Sequence, residues 1–366
     1  MFRTVFLCIL IVFPVATIHA QDRVSFLDRS SKTGTTLLRS GTIINEDPGK
    51  ITLSGNDGRR SDIPISDIVE VIYEGEPQTE MNAARSAERE RKVDAALAGY
   101  QDAFKKAPND RKLLRRHLEF KLAEMRTVQA EGGANPQQAI EALQAFAKNH
   151  PESRQIILCY EHLGNCLLQN SQQIGIVLDA LASLRSKYGT DNKEVAARCD
   201  LLRSDFILQQ LITTFQKEGK DTAKGQVETV KQALAEIITI ADRSIQPEIV
   251  AKQNFCQALI DPQAATVAWD MQLQSMGEDT YSRAAIHLIR ADYYRLQQNY
   301  REAMWDYLWV DTVYFADRSQ QAKALYHLIE VFDKLGDTAK SRDCRERLLN
   351  DNRLRDTRYQ RLLLSK

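Results

Sequence analysis

Between residues 22 and 76 apolar and polar positions alternate in short runs. In "RVSFLD", Val24, Phe26 and Asp28 alternate with Ser25 and Leu27. "TLLRSGTIINED" is an extended run that bends at Gly41, and "GKITLSG" lies between the turn signals "EDPG" and "GNDG". "RRSDIPI" and "DIVEVIYEG" follow, joined tightly through "IPISDI". Period-two patterning between Gly- and Asp-rich turns predicts five short strands. So small a unit buries little apolar surface by itself, so it is expected to dock on the chain that follows.

From residue 77 to 366 the spacing of apolar residues changes to three and four, and Gly and Pro become sparse. That is the period of amphipathic helices. Breaks fall at "KAPND", "EGGANP", "KNHPES", "KYGTDN", "KEGKD", "IQPE", "LIDPQ", "MGEDT" and "FADRS". Helices of roughly 12 to 20 residues between such short loops predict antiparallel helix pairs.

Several pairs carry a repeating set of residues. "VDAALAGYQDAFKKAPND" places Ala96, Tyr100, Ala103 and Pro108 as in a second helix, and "PQQAIEALQAFAKNHPES" places Ala139, Leu143, Phe146 and Pro151 likewise. "CYEHLGNCLLQ" supplies Tyr160, Leu163, Gly164 and Leu167 of a first helix. Ala291, Tyr294, Tyr300, Ala303 and Tyr307 make another unit, and Leu325, Leu328, Phe332, Gly336 and Leu348 the next. On these residues the region 77–366 resembles tetratricopeptide-repeat proteins, whose unit is a helix pair of about 34 residues. The region 22–76 resembles a small SH3-like or Sm-like β-barrel. The fold class implied is mostly α: a tetratricopeptide-like α-α solenoid preceded by a small β-barrel. Residues 194–280 lack the Gly and Ala positions, which predicts irregular pairs there. Arg290 stands where Leu is usual and Arg345 where an aromatic is usual. The terminal "RDTRYQRLLLSK" is expected to cap the last repeat, with Leu362 and Leu363 inward and Arg358 and Arg361 solvated.

The segment from Asn299 to Ser319, "NYREAMWDYLWVDTVYFADRS", is dense in aromatics. At 100° per residue Tyr300, Ala303, Met304, Tyr307, Leu308, Val310 and Tyr314 share one face, with Trp305, Trp309 and Val313 opposite. Glu302 and Asp306 lie beside the tryptophans. One reading packs both tryptophans between neighbouring repeats. The other leaves Trp305 and Trp309 partly exposed as anchors for a partner.

Composition narrows the function. Lys plus Arg and Asp plus Glu both number 49, so no single-sign field favours nucleic acid. "MFRTVFLCILIVFPVATIHAQ" has Arg3, an apolar run interrupted by Pro14, and Ala20 before a cleavage position. Residues 1–20 therefore read as a signal peptide, and the protein as an exported bacterial type, periplasmic or extracellular. Membrane association is expected only through an uncleaved signal. With Cys8 set aside in the signal, the remaining Cys159, Cys166, Cys199, Cys256 and Cys344 are odd in number and widely spread, which favours isolated buried thiols over a disulfide framework.

Chemistry is sparse. Cys159, His162 and Cys166 form C-x2-H-x3-C, but on a helix the two thiols stand about 10.5 Å apart along the axis, too far to share a metal or a disulfide. The zincin, nucleophile-elbow, Walker and dinucleotide motifs are absent, and neither a cofactor nor a metal is implied. His117, His150, His287 and His327 lack motif partners; His150, His287 and His327 are expected at the surface or at caps. Glu46, Asp47, Glu74 and Glu76 flank turns, where solvation accounts for them. First helices of tetratricopeptide units line a concave groove. Here its outward positions include Glu161, Asn165, Asp292, Arg295, Glu330, Asp333 and Lys334, a mixed and slightly acidic set. The resemblance implies a non-catalytic scaffold holding a protein or peptide partner in the envelope. The alternative is an envelope hydrolase, or an enzyme's accessory subunit, with an unrecognised carboxylate site.

Overall fold

The computed structural model describes residues 21–28, 35–55, 57–170, 172–354 and 357–364. The N-terminal run read as a signal peptide lies outside the described residues. Five strands form one antiparallel sheet: β1 (Asp22–Leu27), β2 (Thr36–Glu46), β3 (Lys50–Ser54), β4 (Arg60–Pro64) and β5 (Ile68–Ile72), in the order β4-β3-β2-β1-β5. The long β2 pairs with β1 through residues 36–41 and with β3 through residues 42–46, its register shifting between Ile43 and Asn45. A short 3-10 turn, Ile65–Asp67, leads from β4 into β5.

The expected closed barrel is corrected here. Among the described residues no pairing joins β4 to β5, so the sheet is open. The reason lies in its apolar face. Val24, Ile43, Ile51, Leu53, Ile63, Val71 and Tyr73 share one core with Met81, Ala84, Tyr100, Leu114 and Leu118 of the first helices. The helices cover the surface that a barrel would have to close over itself.

Polar contacts fix that docking, and they correct the expectation of solvated turn carboxylates. The Glu46 side chain is fully buried, with Oε1 3.0 Å from Arg116 Nη2 and 3.1 Å from Arg154 Nε. Its Oε2 accepts from the Tyr73 hydroxyl at 3.0 Å. Glu76 is held by both Arg85 Nη atoms at 2.5 and 3.1 Å, and Glu74 by Arg111 at 2.7 Å. A carboxylate leaves water only where guanidinium donors replace it. Gly49, in the turn after β2, sits against Asn192, whose Nδ2 would lie 2.1 Å from any Cβ there.

The helices alternate as first and second members of antiparallel pairs: α1 (Gln78–Arg89) with α2 (Val93–Lys106), α3 (Lys112–Glu131) with α4 (Pro136–Asn149), α5 (Ile156–Gln169) with α6 (Gly175–Tyr188), and α7 (Lys193–Glu218) with α8 (Lys220–Ile240). α9 (Gln246–Ile260) follows with α10 (Pro262–Ser275), α11 (Thr280–Leu296) with α12 (Tyr300–Thr312), and α13 (Arg318–Lys334) with α14 (Thr338–Asn350). A terminal α15 (Arg358–Leu364) packs on α13. From α3 to α13, each odd-numbered helix also touches the next odd-numbered one, so these first helices form a continuous layer. The longest helices, α7 and α8, fall within 194–280.

Many helix starts follow from local chemistry. Asn135, Asn192, Asp261, Asp279, Asp317 and Asp337 each accept a backbone N–H of the first turn they precede. Such caps satisfy amides that have no intrahelical partner. Five of the turns inside pairs also carry a left-handed residue: Arg91 (φ 63°), Gly133 (φ 98°), Gly219 (φ 95°), Gln298 (φ 60°) and Gly336 (φ 79°). Arg91 and Gln298 are not glycine, which is why the pattern shows no break at those two.

Candidate interaction groove

The layer of first helices carries most of the polar side chains singled out by the pattern. On α5, Glu161 and Asn165 are half-buried. Asn165 Oδ1 accepts from Arg358 Nη2 of α15 at 3.0 Å. On α11, Asp292 meets Lys323 Nζ of α13 at 2.6 Å and accepts from the Tyr307 hydroxyl at 2.5 Å. Arg295 pairs with Glu330 at 3.2 Å and donates to the Tyr307 oxygen at 3.3 Å. Asp333 and Lys334 stand exposed in the last turn of α13. The fold therefore joins Asp292, Arg295 and Glu330 into one network, and Asn165 to the terminal helix.

The electrostatics are those of matched pairs. Burial alone would raise the Asp292 carboxyl, but the charges of Lys323, His327 and Arg295 lower it to about 2. On α9, Lys252 is almost fully buried, with Asp205 at 2.6 Å, Glu248 at 3.0 Å and the Ser204 hydroxyl at 2.8 Å. Burial opposes its charge, but the two carboxylates raise its pKa on balance. On α3, Lys121 lies between Glu88 at 2.7 Å and Glu124 at 2.6 Å. Burial works against the Glu124 anion, yet Lys121 and His162 hold it well below the usual carboxylate range. Carboxylates held ionised by neighbouring cations serve poorly as proton donors near neutral pH.

The aromatic helix α12 sits outside this layer. Ala303, Tyr307 and Val310 are buried as the helical angle predicts, but Trp305 is 58% and Trp309 46% exposed. Packing of both tryptophans between repeats is thus corrected. Ion pairs take the place of that packing. Asp306 is buried, bonded by Arg290 at 2.7 and 2.8 Å and by His287 at 2.7 Å, while Arg290 also holds Asp270 at 2.7 Å. Arg347 of α14 grips Asp311 at 2.7 and 2.8 Å. The Trp309 ring stacks at its inner side on His287 and Tyr314.

His150 caps the C-terminus of α4 as expected, its N–H bonded to the Phe146 carbonyl, but His287 and His327 are not surface residues. His287 is buried on Asp306, and His327 stacks on Tyr307 at 5.5 Å. His150 is bonded to Glu119 at 2.6 Å. His117 lies against Tyr73, and its burial together with the Arg154 charge lowers its pKa well below the ordinary value. Each ring fills a position between helices where an aromatic partner or a carboxylate is available. The five thiols are free and buried. Burial pushes Cys159, Cys199, Cys256 and Cys344 up to about 12 and Cys166 up to about 11, which keeps them protonated and unreactive. Among the described residues no three metal-ligating side chains cluster, and no helix is long and apolar enough to cross a membrane. A shallow concavity of about 600 Å³ lies on the sheet, lined by Ile44, Asn45, Lys50, Thr52, Arg60 and Asp62, with Lys50 and Asp62 paired at 2.6 Å.

Residues 121–153, which run from the middle of α3 through α4, match the tetratricopeptide repeat family. This segment is similar to a tetratricopeptide repeat. Its second helix is the one carrying Ala139, Leu143 and Phe146, all buried. The tetratricopeptide-like pairing extends along the helical region, α1 to α14, in the contacts described above. A crystallised tetratricopeptide repeat protein from Parabacteroides merdae is similar at 13% identity over 78% of this chain and 98% of its own, with a TM-score of 0.36, too low to add to the fold read from the residues. None of the curated proteins matches the chain in sequence.

Sequence reasoning missed Lys323, Asp205 and Lys252. A lysine or aspartate on a helix reads as solvated, and its partner lies on another helix, at |i−j| = 31 for Lys323 with Asp292 and 47 for Lys252 with Asp205. Arg358 is exposed, as expected of a cap residue, and in addition bonds Asn165.

Proposed function

We propose that the protein is an exported, non-catalytic interaction scaffold that holds a protein or peptide partner in the groove lined by its first helices. One observation carries the reading. The first helices from α3 to α13 form a continuous layer and carry Glu161, Asn165, Asp205, Asp292, Arg295 and Glu330, and stacked helix pairs of this type build an extended binding surface. Asp205, Asp292 and Glu330 are paired with lysine or arginine, which suits recognition rather than proton transfer. The apolar N-terminal run of the sequence supports export to the envelope or beyond.

The test uses purified residues 21–366 to capture proteins from an envelope extract, beside two variants, Glu161→Lys/Asp205→Lys and Trp305→Ala/Trp309→Ala. The reading expects one partner held by the parent and by the tryptophan variant, and lost by the charge-reversed variant while it remains folded. Equal capture by all three would move the binding surface out of the groove. No partner at all, with turnover of envelope polymer, would replace the scaffold by an enzyme.

A further inference from the structure

The terminal segment occupies the groove it would share with a partner. α15 is held on α13 from one side. Gln360 Nε2 donates to the Leu348 and Leu349 carbonyls at 3.0 and 3.2 Å, and Leu363 is buried in one cluster with Phe332 and Leu348. The Tyr359 ring lies 5.5 Å from Tyr326 and 5.7 Å from His327. The opposite side of α15 is directed toward first helices three to five pairs earlier. Arg358 bonds Asn165 of α5 and lies near Glu161, Glu131 and Asp205, carboxylates of α5, α3 and α7. Arg361, one turn on and on the same face, lies near Glu124 of α3. Arg358 is exposed to solvent. Arg358 is thus bonded across to α5, and both arginines act electrostatically on carboxylates of the early first helices.

This attachment is built to be reversible. A helix of seven residues is not stable alone and depends on what it packs against. Solvated ion pairs hold such a contact weakly, and terminal elements open with the smallest free energies in a fold. The buried apolar part of α15 is the end around Leu363, on α13, and not the arginine end that crosses to α5.

We propose that α15 is an internal ligand, and that the channel between α5 and α13 binds a partner's short basic amphipathic helix of the same R-x-x-R-L-L pattern once α15 lifts away. The inference rests on the scaffold reading and deepens it: the partner presents two cations one turn apart, followed by leucines, and competes with the chain's own terminus. The fraction of molecules with α15 open then scales the apparent affinity.

A labelled synthetic peptide with the sequence of residues 352–366 tests this against full-length 21–366. The parent should bind it weakly, and Arg358→Glu/Arg361→Glu, which repels α15 from the carboxylates, should bind it about tenfold tighter or more. Adding Glu161→Lys/Asp205→Lys should abolish that gain. A folded Arg358→Glu/Arg361→Glu variant without any gain overturns the proposal. So does a stable dimer of that variant that excludes the peptide, because α15 would then be exchanged between copies. Should the variant melt early, hydrogen exchange on the parent decides: excess peptide should speed exchange in α15 and leave α13 unchanged, and no change in α15 overturns the proposal. Envelope capture is a separate readout. A captured partner with no peptide gain sinks the internal ligand alone, whereas peptide binding without any captured partner sinks the scaffold reading alone.

Discussion

Asn165 and Arg358 are 193 positions apart in the chain and 3.0 Å apart in space. Their bond joins the third helix pair to the terminal helix, so the row of first helices curves until its last element faces its early ones. These first helices carry ion pairs on buried or half-buried lysines: Lys323 with Asp292, Lys252 with Asp205 and Glu248, and Lys121 with Glu124.

Asp292 should leave a pH signature. Its carboxyl is lowered from 3.8 to about 2 in the folded chain, so its stabilising contribution is fully present above pH 4 and disappears as pH falls through 2. Asp292→Asn should cost about 2 kcal/mol near neutrality, where Lys323 loses its partner. The gap between variant and parent should close between about pH 4 and pH 2 in urea melts. A gap that stays constant over that range would show that Asp292 is not held ionised.

Glu46 anchors the sheet to the helices through Arg116, Arg154 and Tyr73. Glu46→Ala leaves two guanidinium groups buried without their anion, and a loss of about 3 to 5 kcal/mol is expected. Denaturant titration would measure it. A loss under about 1 kcal/mol would mean that water replaces the carboxylate and that the sheet docks by its apolar face alone.

Gly164 lies against Phe206, whose Cζ would stand 2.2 Å from an added Cβ. The Gly164→Ala substitution should therefore destabilise by about 2 kcal/mol by forcing α5 away from α7. Phe206→Leu in the same chain should restore part of it. Additive losses in the double variant would show that the close approach is not the cause.

Trp269 is buried, whereas Trp305 and Trp309 are 58% and 46% exposed. Acrylamide should quench two of the three tryptophans readily. Trp305→Ala should change stability by no more than about 0.5 kcal/mol, and Trp309→Ala by about 1 kcal/mol, because its ring also stacks on His287 and Tyr314. Large losses for both would place the tryptophans in a core after all.

How far these elements were legible follows from the range of each cause. Five of the nine expected breaks contain a cap, because Asn135, Asn192, Asp261, Asp279 and Asp317 each bond the first turn of the helix that follows, an interaction spanning two or three residues. The turns at Arg91 and Gln298 were invisible, since a left-handed residue that is not glycine leaves no mark in composition. In the candidate groove, the first-helix positions of Glu161, Asn165, Asp292, Arg295 and Glu330 were readable from helical period, but the partners that neutralise them were not. Trp305 and Trp309 were read both ways because a two-sided helix looks alike whether its second face meets a neighbour or water.

By itself the sequence determined the helical period, the capped starts, the five strands and the small residues that let α5 approach α7, because each depends on neighbours within a turn or on side-chain volume. Tertiary structure alone decided that the sheet stays open beneath the helices, that Glu46 and Asp306 are buried, and that Arg358 crosses to Asn165. Those outcomes depend on which distant surface is nearest, and a carboxylate or guanidinium is stable in water and in a matched pair alike, so only the fold selects between the two.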